Sequence, residues 1–331
     1  MAQPTPSRRW LFAALRVGLA AGILAYLFSR VSPAQVLATV GQVGPARWMT
    51  AAFISLSGQV VIAYRLRLLT DAQRLGISTA KLLEINLSAV FFGLLVPAGN
   101  VARGAIRVYG MARPTGKFAE AVASILFDRL SATLAMAAIA LLCYQLAAPP
   151  AGARAAGLFL AASTTAALLL HFLLFSRLAA GWWRSVLALL PWRWLRERAE
   201  RLRESASRLR ELPRATLALV FALAAVTQLM SILAYYTLAG GLGIELRFIE
   251  MAWVMGVVRL LIMIPISPAG LGVREGALVV LLGQYGVPGE AALALSLLAF
   301  ATGEVLVGIV GGVIEGVRFL RGAAVSRTVR R

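Results

Sequence analysis

Residues 97–105 read PAGNVARGA, and residues 268–277 read PAGLGVREGA. Both stretches interrupt long apolar runs with proline and glycine, and both place an arginine, Arg103 or Arg274, six residues after the proline. Paired, broken hydrophobic segments at corresponding positions of two halves are the best sequence indication of a binding site in a membrane transporter. We therefore expect two broken helices, with breaks at Pro97, Gly99, Pro268, Gly270 and Gly272.

The composition is that of an integral membrane protein. Of the 331 residues, 60% are hydrophobic and only 14% are charged, and the mean hydropathy is +0.81. A soluble chain of this kind would expose far too much apolar surface. Several apolar runs approach or exceed the ~20 residues that cross a bilayer as a helix. The runs are 11–28, 47–64, 82–98, 119–144, 155–176, 214–240, 251–268 and 289–316. Because strand-like alternation is absent, we expect one all-α, polytopic transmembrane domain over 1–331.

The net charge of +19 comes almost wholly from arginine. In a soluble protein this charge would suggest a nucleic-acid partner. Here arginines flank apolar runs, where positive charge holds a loop on the cytoplasmic side, so we expect no nucleic-acid partner. Attraction to anionic membrane lipids is a further expectation. Cys143 and His171 are the only cysteine and histidine, so we expect no disulfide and no metal site. Because no nucleotide-binding motif is present, we also expect no cofactor.

The charge rule also predicts the topology. If 82–98 crossed the membrane fully, the basic residues from Arg103 to Lys117 would lie outside, against the rule. A re-entrant hairpin resolves this conflict, and 251–286 forms its counterpart. The prediction is six full spans and two hairpins, with eight or nine spans as the alternative. The halves 1–150 and 151–331 would then be an inverted-topology repeat with both termini in the cytoplasm.

Segment 177–213 is rich in arginine and holds four of the seven tryptophans, Trp182, Trp183, Trp192 and Trp194. Apolar residues recur there at spacings of four and three, at Leu195, Ala199, Leu202, Ala206 and Leu209. This pattern predicts an amphipathic helix at the cytoplasmic face. It could be a linker between the halves or a helix that gathers anionic lipid.

Ionisable residues inside apolar spans cost about 2.5–3.5 kcal/mol each on insertion scales, so each needs a partner or a function. Because neighbours on a helix point about 100° apart, we expect each hairpin arginine to pair with an acid from a full span. Such pairs could be structural, or Arg103 and Arg274 could bind a phosphate, since the planar guanidinium suits that ligand. The candidates are Glu84, Arg103, Asp128, Arg129, Arg259, Arg274, Glu275 and Glu304.

Several of these motifs resemble one membrane protein family. They are FGLLVPAG at 92–99 with Arg103 and Tyr109, SILFDRL at 124–130, and PISPAGLGVREGA at 265–277 followed by GVP at 286–288. Together they resemble the lysylphosphatidylglycerol synthase transmembrane region, or flippase-like membrane proteins, over nearly the whole chain. Members often carry Gly-Gly and an acid where Gly99-Asn100-Val101 stands here. The resemblance implies a polytopic protein of the bacterial inner membrane, in some members a lipid flippase.

Two functional hypotheses follow. The first is a lipid flippase or transporter, in which Arg103 and Arg274 contact the phosphate of an anionic lipid. Asp128, Glu275 and Glu304 would then be counter-charges or proton carriers, and Arg129 and Arg259 would be further buried partners. The second is an embedded scaffold for a lipid- or glycan-modifying enzyme, with 177–213 as its working surface. We expect no enzymatic activity, because no catalytic constellation is present and the chain has no room for the transferase domain of the synthases.

Overall fold

A computed structural model of the chain describes residues 33–96, 99–176, 193–264 and 270–328. All regular structure within these ranges is helical. The helices are α1 (Pro33–Val40), α2 (Pro45–Ala72), α3 (Thr79–Leu95), α4 (Gly99–Thr115), α5 (Phe118–Ala147), α6 (Arg154–Phe175), α7 (Arg193–Arg210), α8 (Arg214–Gly241), α9 (Phe248–Met263), α10 (Val273–Gly283), α11 (Gly289–Phe300) and α12 (Leu306–Thr328).

Five helical segments in the described part of the chain are long and apolar enough to cross a membrane. They correspond to five of the six predicted full spans, and the sixth, 11–28, lies outside the described residues. The protein is therefore a multi-pass, all-helical membrane protein. The segments are Pro45–Ala72, Phe118–Ala147, Ala151–Phe175, Arg214–Gly241 and Gly289–Leu320.

The two remaining apolar runs are broken near the predicted positions. Helix α3 ends at Leu95 and α4 begins at Gly99, while α9 ends at Met263 and α10 begins at Val273. Gly270 and Gly272 have φ angles of +76° and +81°, which glycine adopts without strain. In each pair the two helices pack against each other. Pro97 and Pro268 lie outside the described residues.

Three helix crossings hold the bundle together. Helix α2 packs along α8, α5 along α9, and α12 along α3. Small residues allow close approach at two of them: a Cβ on Gly256 of α9 would meet Ala140, and one on Gly311 of α12 would meet the backbone at Leu87. Small residues at helix crossings are the usual means of close packing in a bilayer, where apolar burial drives little association.

The last span is not a regular α-helix. Between α11 and α12 the residues Ala301–Val305 form a π-helical turn, which contains Glu304. Single π turns inside α-helices are rare and are frequent at functional sites. The turn alters the direction in which the following side chains project.

The described part of 177–213 forms an amphipathic helix, as predicted, but its apolar edge faces the protein. Leu209 of α7 is fully buried in a cluster with Leu69 and Phe127. The Gln73 side chain donates a 2.7 Å hydrogen bond to the Ser205 carbonyl, which fixes α7 to the end of α2. Trp194 is exposed. The other three tryptophans of the segment, Trp182, Trp183 and Trp192, lie outside the described residues.

Candidate functional site

A cavity of about 390 Å³ lies between the helices of the two predicted halves. Its walls come from α2, α4, α5, α8, α9, α10, α11 and the π turn. Six arginines line it, against two carboxylates. This strongly positive interior is the most unusual feature of an otherwise apolar bundle. The ionisable lining residues are Arg65, Arg103, Arg107, Asp128, Arg129, Arg259, Arg274 and Glu304.

Asp128 pairs with an arginine of α2. The Arg65 Nε donates to Asp128 Oδ1 at 2.7 Å, and both side chains are only 3% exposed. Arg65 also donates through Nη1 to the Thr227 hydroxyl of α8 at 3.2 Å. This group therefore ties α2, α5 and α8 together at one wall of the cavity.

Arg103 pairs with Glu304 across the two halves. The distance between Arg103 Nη2 and Glu304 Oε2 is 2.5 Å, and the side chains are 13% and 34% exposed. Gly93 of α3 makes room for the arginine, because a Cβ there would collide with Arg103 Cγ. Arg103, which follows the first helix break, thus contacts an acid of the last span, the kind of pair that the sequence led us to expect.

Arg274 differs from that expectation, since it pairs with Glu275, its own neighbour in α10. Arg274 Nε donates to Glu275 Oε1 at 3.0 Å and to Ser296 Oγ at 2.8 Å, and Nη2 also contacts Glu275. Glu275 Oε2 accepts the Gly272 backbone N–H at 2.6 Å. A long arginine side chain can fold back onto a carboxylate that is fixed at the helix N-terminus, so the angle between adjacent residues does not prevent the contact. Arg274 also lies over the Phe300 ring at 4.7 Å.

The remaining three arginines add positive charge. Arg129 lies against Gly104 of α4. Arg259 donates to the Ser231 hydroxyl of α8. Among the described residues, Arg107 and Arg259 form no salt bridge with a carboxylate, and the buried Arg107 Nε has no hydrogen-bond partner there.

Sequence reasoning missed two of the lining arginines, Arg65 and Arg107, because both lie beyond the ends of the predicted apolar runs 47–64 and 82–98. Arg65 is 2% exposed because α2 continues to Ala72, beyond the predicted end of the span. Arg107 lies four residues after Arg103 in α4, and this spacing places both side chains on one helix face. A polar stripe on apolar α8 was also available in the sequence, at Thr227, Gln228, Ser231 and Tyr235.

The other candidates have structural positions. Glu84 lies away from the cavity, where it pairs with Lys81 at 3.0 Å and with Arg318 of α12. Gly99 is the first residue of α4. Within the described ranges, no group of three histidine, cysteine, aspartate or glutamate side chains is placed to hold a metal ion. The arrangement is suited to an anion, because guanidinium groups bind phosphate and carboxylate oxygens through paired hydrogen bonds.

Comparison with protein families gives a match over most of the chain. The family model described as "Lysylphosphatidylglycerol synthase TM region" matches residues 13–311 of the chain. No curated protein matches the chain. The matched range contains every residue of the cavity wall.

Proposed function

Because the chain belongs to the lysylphosphatidylglycerol synthase TM region family, we propose that it is a lipid flippase or transporter whose central cavity binds the anionic headgroup of a membrane lipid. The family itself indicates a membrane role related to lipids. The observation that carries the finer proposal is the cavity wall with six arginines. Buried arginines are costly in a bilayer, and a bound anion would offset their charge.

An inverted repeat would suit this function, and the packing is consistent with one. If the two halves are equivalent, α5 corresponds to α12, α9 to α3, and α2 to α8. The contact of α5 with α9 then corresponds to that of α12 with α3, and the contact of α2 with α8 corresponds to itself. Both contacts are present. The broken pairs α3–α4 and α9–α10 would be opposed re-entrant hairpins that meet at the site, as in transporters of inverted topology.

The same cavity favours a transporter over the scaffold hypothesis. The scaffold hypothesis makes 177–213 the working surface, and in the described part of this segment the apolar edge of α7 packs on the protein itself. In a scaffold, the charged groups of the bundle would need only to neutralise one another, whereas this cavity holds more arginines than carboxylates. We propose that the protein acts without enzymatic activity, in the bacterial inner membrane, with cytoplasmic termini.

The test is lipid translocation in vesicles that contain the purified protein and phosphatidylglycerol with a fluorescent acyl chain. Dithionite destroys the outer-leaflet fluorescence, so translocation is measured as loss of the protected fraction. We expect wild-type protein to move the lipid faster than protein-free vesicles do. Arg103→Lys and Arg274→Lys should each lower the rate at least about tenfold, because lysine offers a point charge in place of a planar fork.

Arg113→Lys is the matched control, because Arg113 lies exposed at the end of α4, outside the cavity. It should translocate at the wild-type rate. Full translocation by well-folded Arg103→Lys and Arg274→Lys proteins would remove the headgroup role of these residues. Absence of translocation by the wild-type protein would favour the scaffold.

A further inference from the structure

We propose that the ligand of the cavity carries at least two negative charges at one end, as a phosphate monoester or a diphosphate does, in preference to a phosphodiester. This inference rests on the proposed function, since it specifies the class of anion that the same cavity binds. It follows from the balance of charge in the cavity wall and from two arginines, Arg107 and Arg259, that form no salt bridge with a described carboxylate.

The cavity has a surplus of positive charge even after its ion pairs are formed. Arg65 pairs with Asp128, Arg103 with Glu304, and Arg274 with Glu275, which lies directly behind the wall. Arg107 and Arg259 take part in none of the salt bridges among the described residues. Of these pairs, only that of Arg103 with Glu304 joins the two predicted halves, whereas Arg65 and Asp128 join α2 to α5 and Arg274 and Glu275 are neighbours in α10. The surplus is what a ligand would neutralise.

The two arginines come from opposite predicted halves of the chain. Arg107 belongs to α4 and Arg259 to α9, the helices that flank the two breaks. Among the described residues neither forms a salt bridge, and Arg259 bonds to a neutral hydroxyl of Ser231. The buried Arg107 Nε lacks a hydrogen-bond partner in the described part of the chain. Each guanidinium therefore retains donors for an oxyanion.

The charge of the ligand decides how much of this surplus is neutralised. A phosphodiester carries a single negative charge, whereas a phosphate monoester carries about −1.5 to −2 at pH 7. A diphosphate end carries more. Because an uncompensated buried charge is strongly destabilising, a ligand that neutralises both Arg107 and Arg259 binds better than one that neutralises a single arginine.

The shape and lining of the cavity favour an anion that is attached to hydrocarbon. Its volume of about 390 Å³ lies within the usual range for ligand sites, roughly 300–1,000 Å³. Methionine and isoleucine side chains share the wall with the arginines, at Met136, Met230, Met255, Ile262 and Met263. A lipid would place its charged end on the arginines and the start of its chain on these residues, whereas free phosphate would leave them without a partner.

The experiment compares three lipids that share one pair of acyl chains, one of them fluorescent. They are phosphatidylglycerol, phosphatidic acid and diacylglycerol diphosphate, each tested with wild-type protein in otherwise zwitterionic vesicles. We expect the phosphate monoester and the diphosphate to be translocated at least about tenfold faster than the phosphodiester, after subtraction of the rate in protein-free vesicles. Equal or faster movement of phosphatidylglycerol would overturn the inference while leaving the proposed function intact. Movement of none of the three would contradict the proposed function.

A second arm separates the lipid from free anions. Inorganic phosphate and pyrophosphate are added to the vesicles, on both sides, during translocation of phosphatidic acid. We expect at most weak inhibition at millimolar concentration, because the free anions lack the hydrocarbon contacts. Inhibition by micromolar pyrophosphate, with no preference among the three lipids, would assign the site to a soluble anion and overturn the lipid assignment.

Arginine variants test which side chains bind the second negative charge of the headgroup. Arg107→Gln and Arg259→Gln should each reduce the preference for phosphatidic acid over phosphatidylglycerol to less than about threefold, while the slower movement of phosphatidylglycerol persists. Arg113→Gln, on α4 but outside the cavity, should retain the full preference. Folding is checked by melting in detergent. Retention of the full preference by both folded cavity variants would contradict the proposal.

Discussion

At the scale of single residues, the buried pair of Arg65 and Asp128 depends on both partners. Both side chains are only 3% exposed, so neither charge has water in place of its partner. Removing one partner of a buried ion pair costs about 3–5 kcal/mol, because the other charge is left uncompensated. We therefore expect Asp128→Asn to lower the melting temperature in detergent markedly.

The matched control lies in α2. Asp71 pairs with Arg67 at 3.3 Å, with about half of each side chain exposed. Surface pairs of this kind contribute about 0–1 kcal/mol, so Asp71→Asn should melt close to the wild type. Equal decreases in melting temperature for Asp128→Asn and Asp71→Asn would show that the pair of Arg65 with Asp128 is not isolated from water.

The acids of the cavity wall were easier to predict from the sequence than the arginines that contact them. Asp128 and Glu304 stand out because each interrupts a long apolar run. Arg65 and Arg107 do not, because an arginine near the end of an apolar run is usually a flanking residue. Whether such an arginine lies inside the bundle or in the flanking loop depends on where the helix ends. That in turn depends on contacts such as those of Arg65 with Asp128 and Thr227.

At the scale of helices, the crossing of α12 and α3 requires a residue without a side chain. A Cβ at Gly311 would overlap the backbone of Leu87, which cannot move aside as a flexible side chain can. Overpacking of this kind costs typically about 1–3 kcal/mol. Gly311→Ala should therefore lower the melting temperature in detergent.

Gly316 of the same helix provides the control, because a Cβ there meets nothing within 4 Å. Alanine favours a helix over glycine by up to about 1 kcal/mol, so Gly316→Ala should be neutral or stabilising. Gly311→Ala melting at or above the temperature of Gly316→Ala would contradict the close crossing.

The breaks in the helices could be predicted, and the π turn could not. Proline and glycine mark both breaks in the sequence. At the second break, Gly270 and Gly272 have positive φ angles that few other residues adopt. The π turn at Ala301–Val305 contains no comparable signal, and its place within the span is set by packing against neighbouring helices. Likewise, periodicity predicted that α7 is amphipathic, but only tertiary contacts decide that its apolar edge meets Leu69 and Phe127.

At the scale of the whole molecule, the hairpin topology makes a prediction about sidedness. In a Cys143→Ser background, Arg113→Cys should be labelled only from the cytoplasmic side, and Pro288→Cys only from outside. Pro288 is preferable to Gly286, whose φ of +77° suits glycine. Labelling with a membrane-impermeant maleimide in oriented vesicles checks both positions. Labelling of Arg113→Cys from outside would mean that the first broken segment crosses the membrane.

The two predicted halves differ from each other at the cavity. The pair of Arg103 with Glu304 has an expected counterpart in Arg274 with Asp128, but each of those residues has another partner, Glu275 or Arg65. The position equivalent to Glu275 in the first motif is Gly104, against which Arg129 lies. A repeat in sequence predicts the positions of the broken helices, whereas the ion pairs depend on residues that only one half possesses.

The central claim is that an anionic lipid headgroup occupies the arginine-lined cavity. Ser55→Cys in a Cys143→Ser background places a thiol in the cavity wall, and its reaction with uncharged methyl methanethiosulfonate reports access. Because the reagent is neutral, a charged micelle does not repel it. The same reaction at Arg113→Cys, outside the cavity, controls for effects of the lipid on thiol access that are not specific to the cavity. We predict that phosphatidic acid in the micelles slows the reaction at Ser55→Cys at least about tenfold relative to phosphatidylcholine and leaves that at Arg113→Cys unchanged. Equal rates in the two lipids at Ser55→Cys would contradict the account.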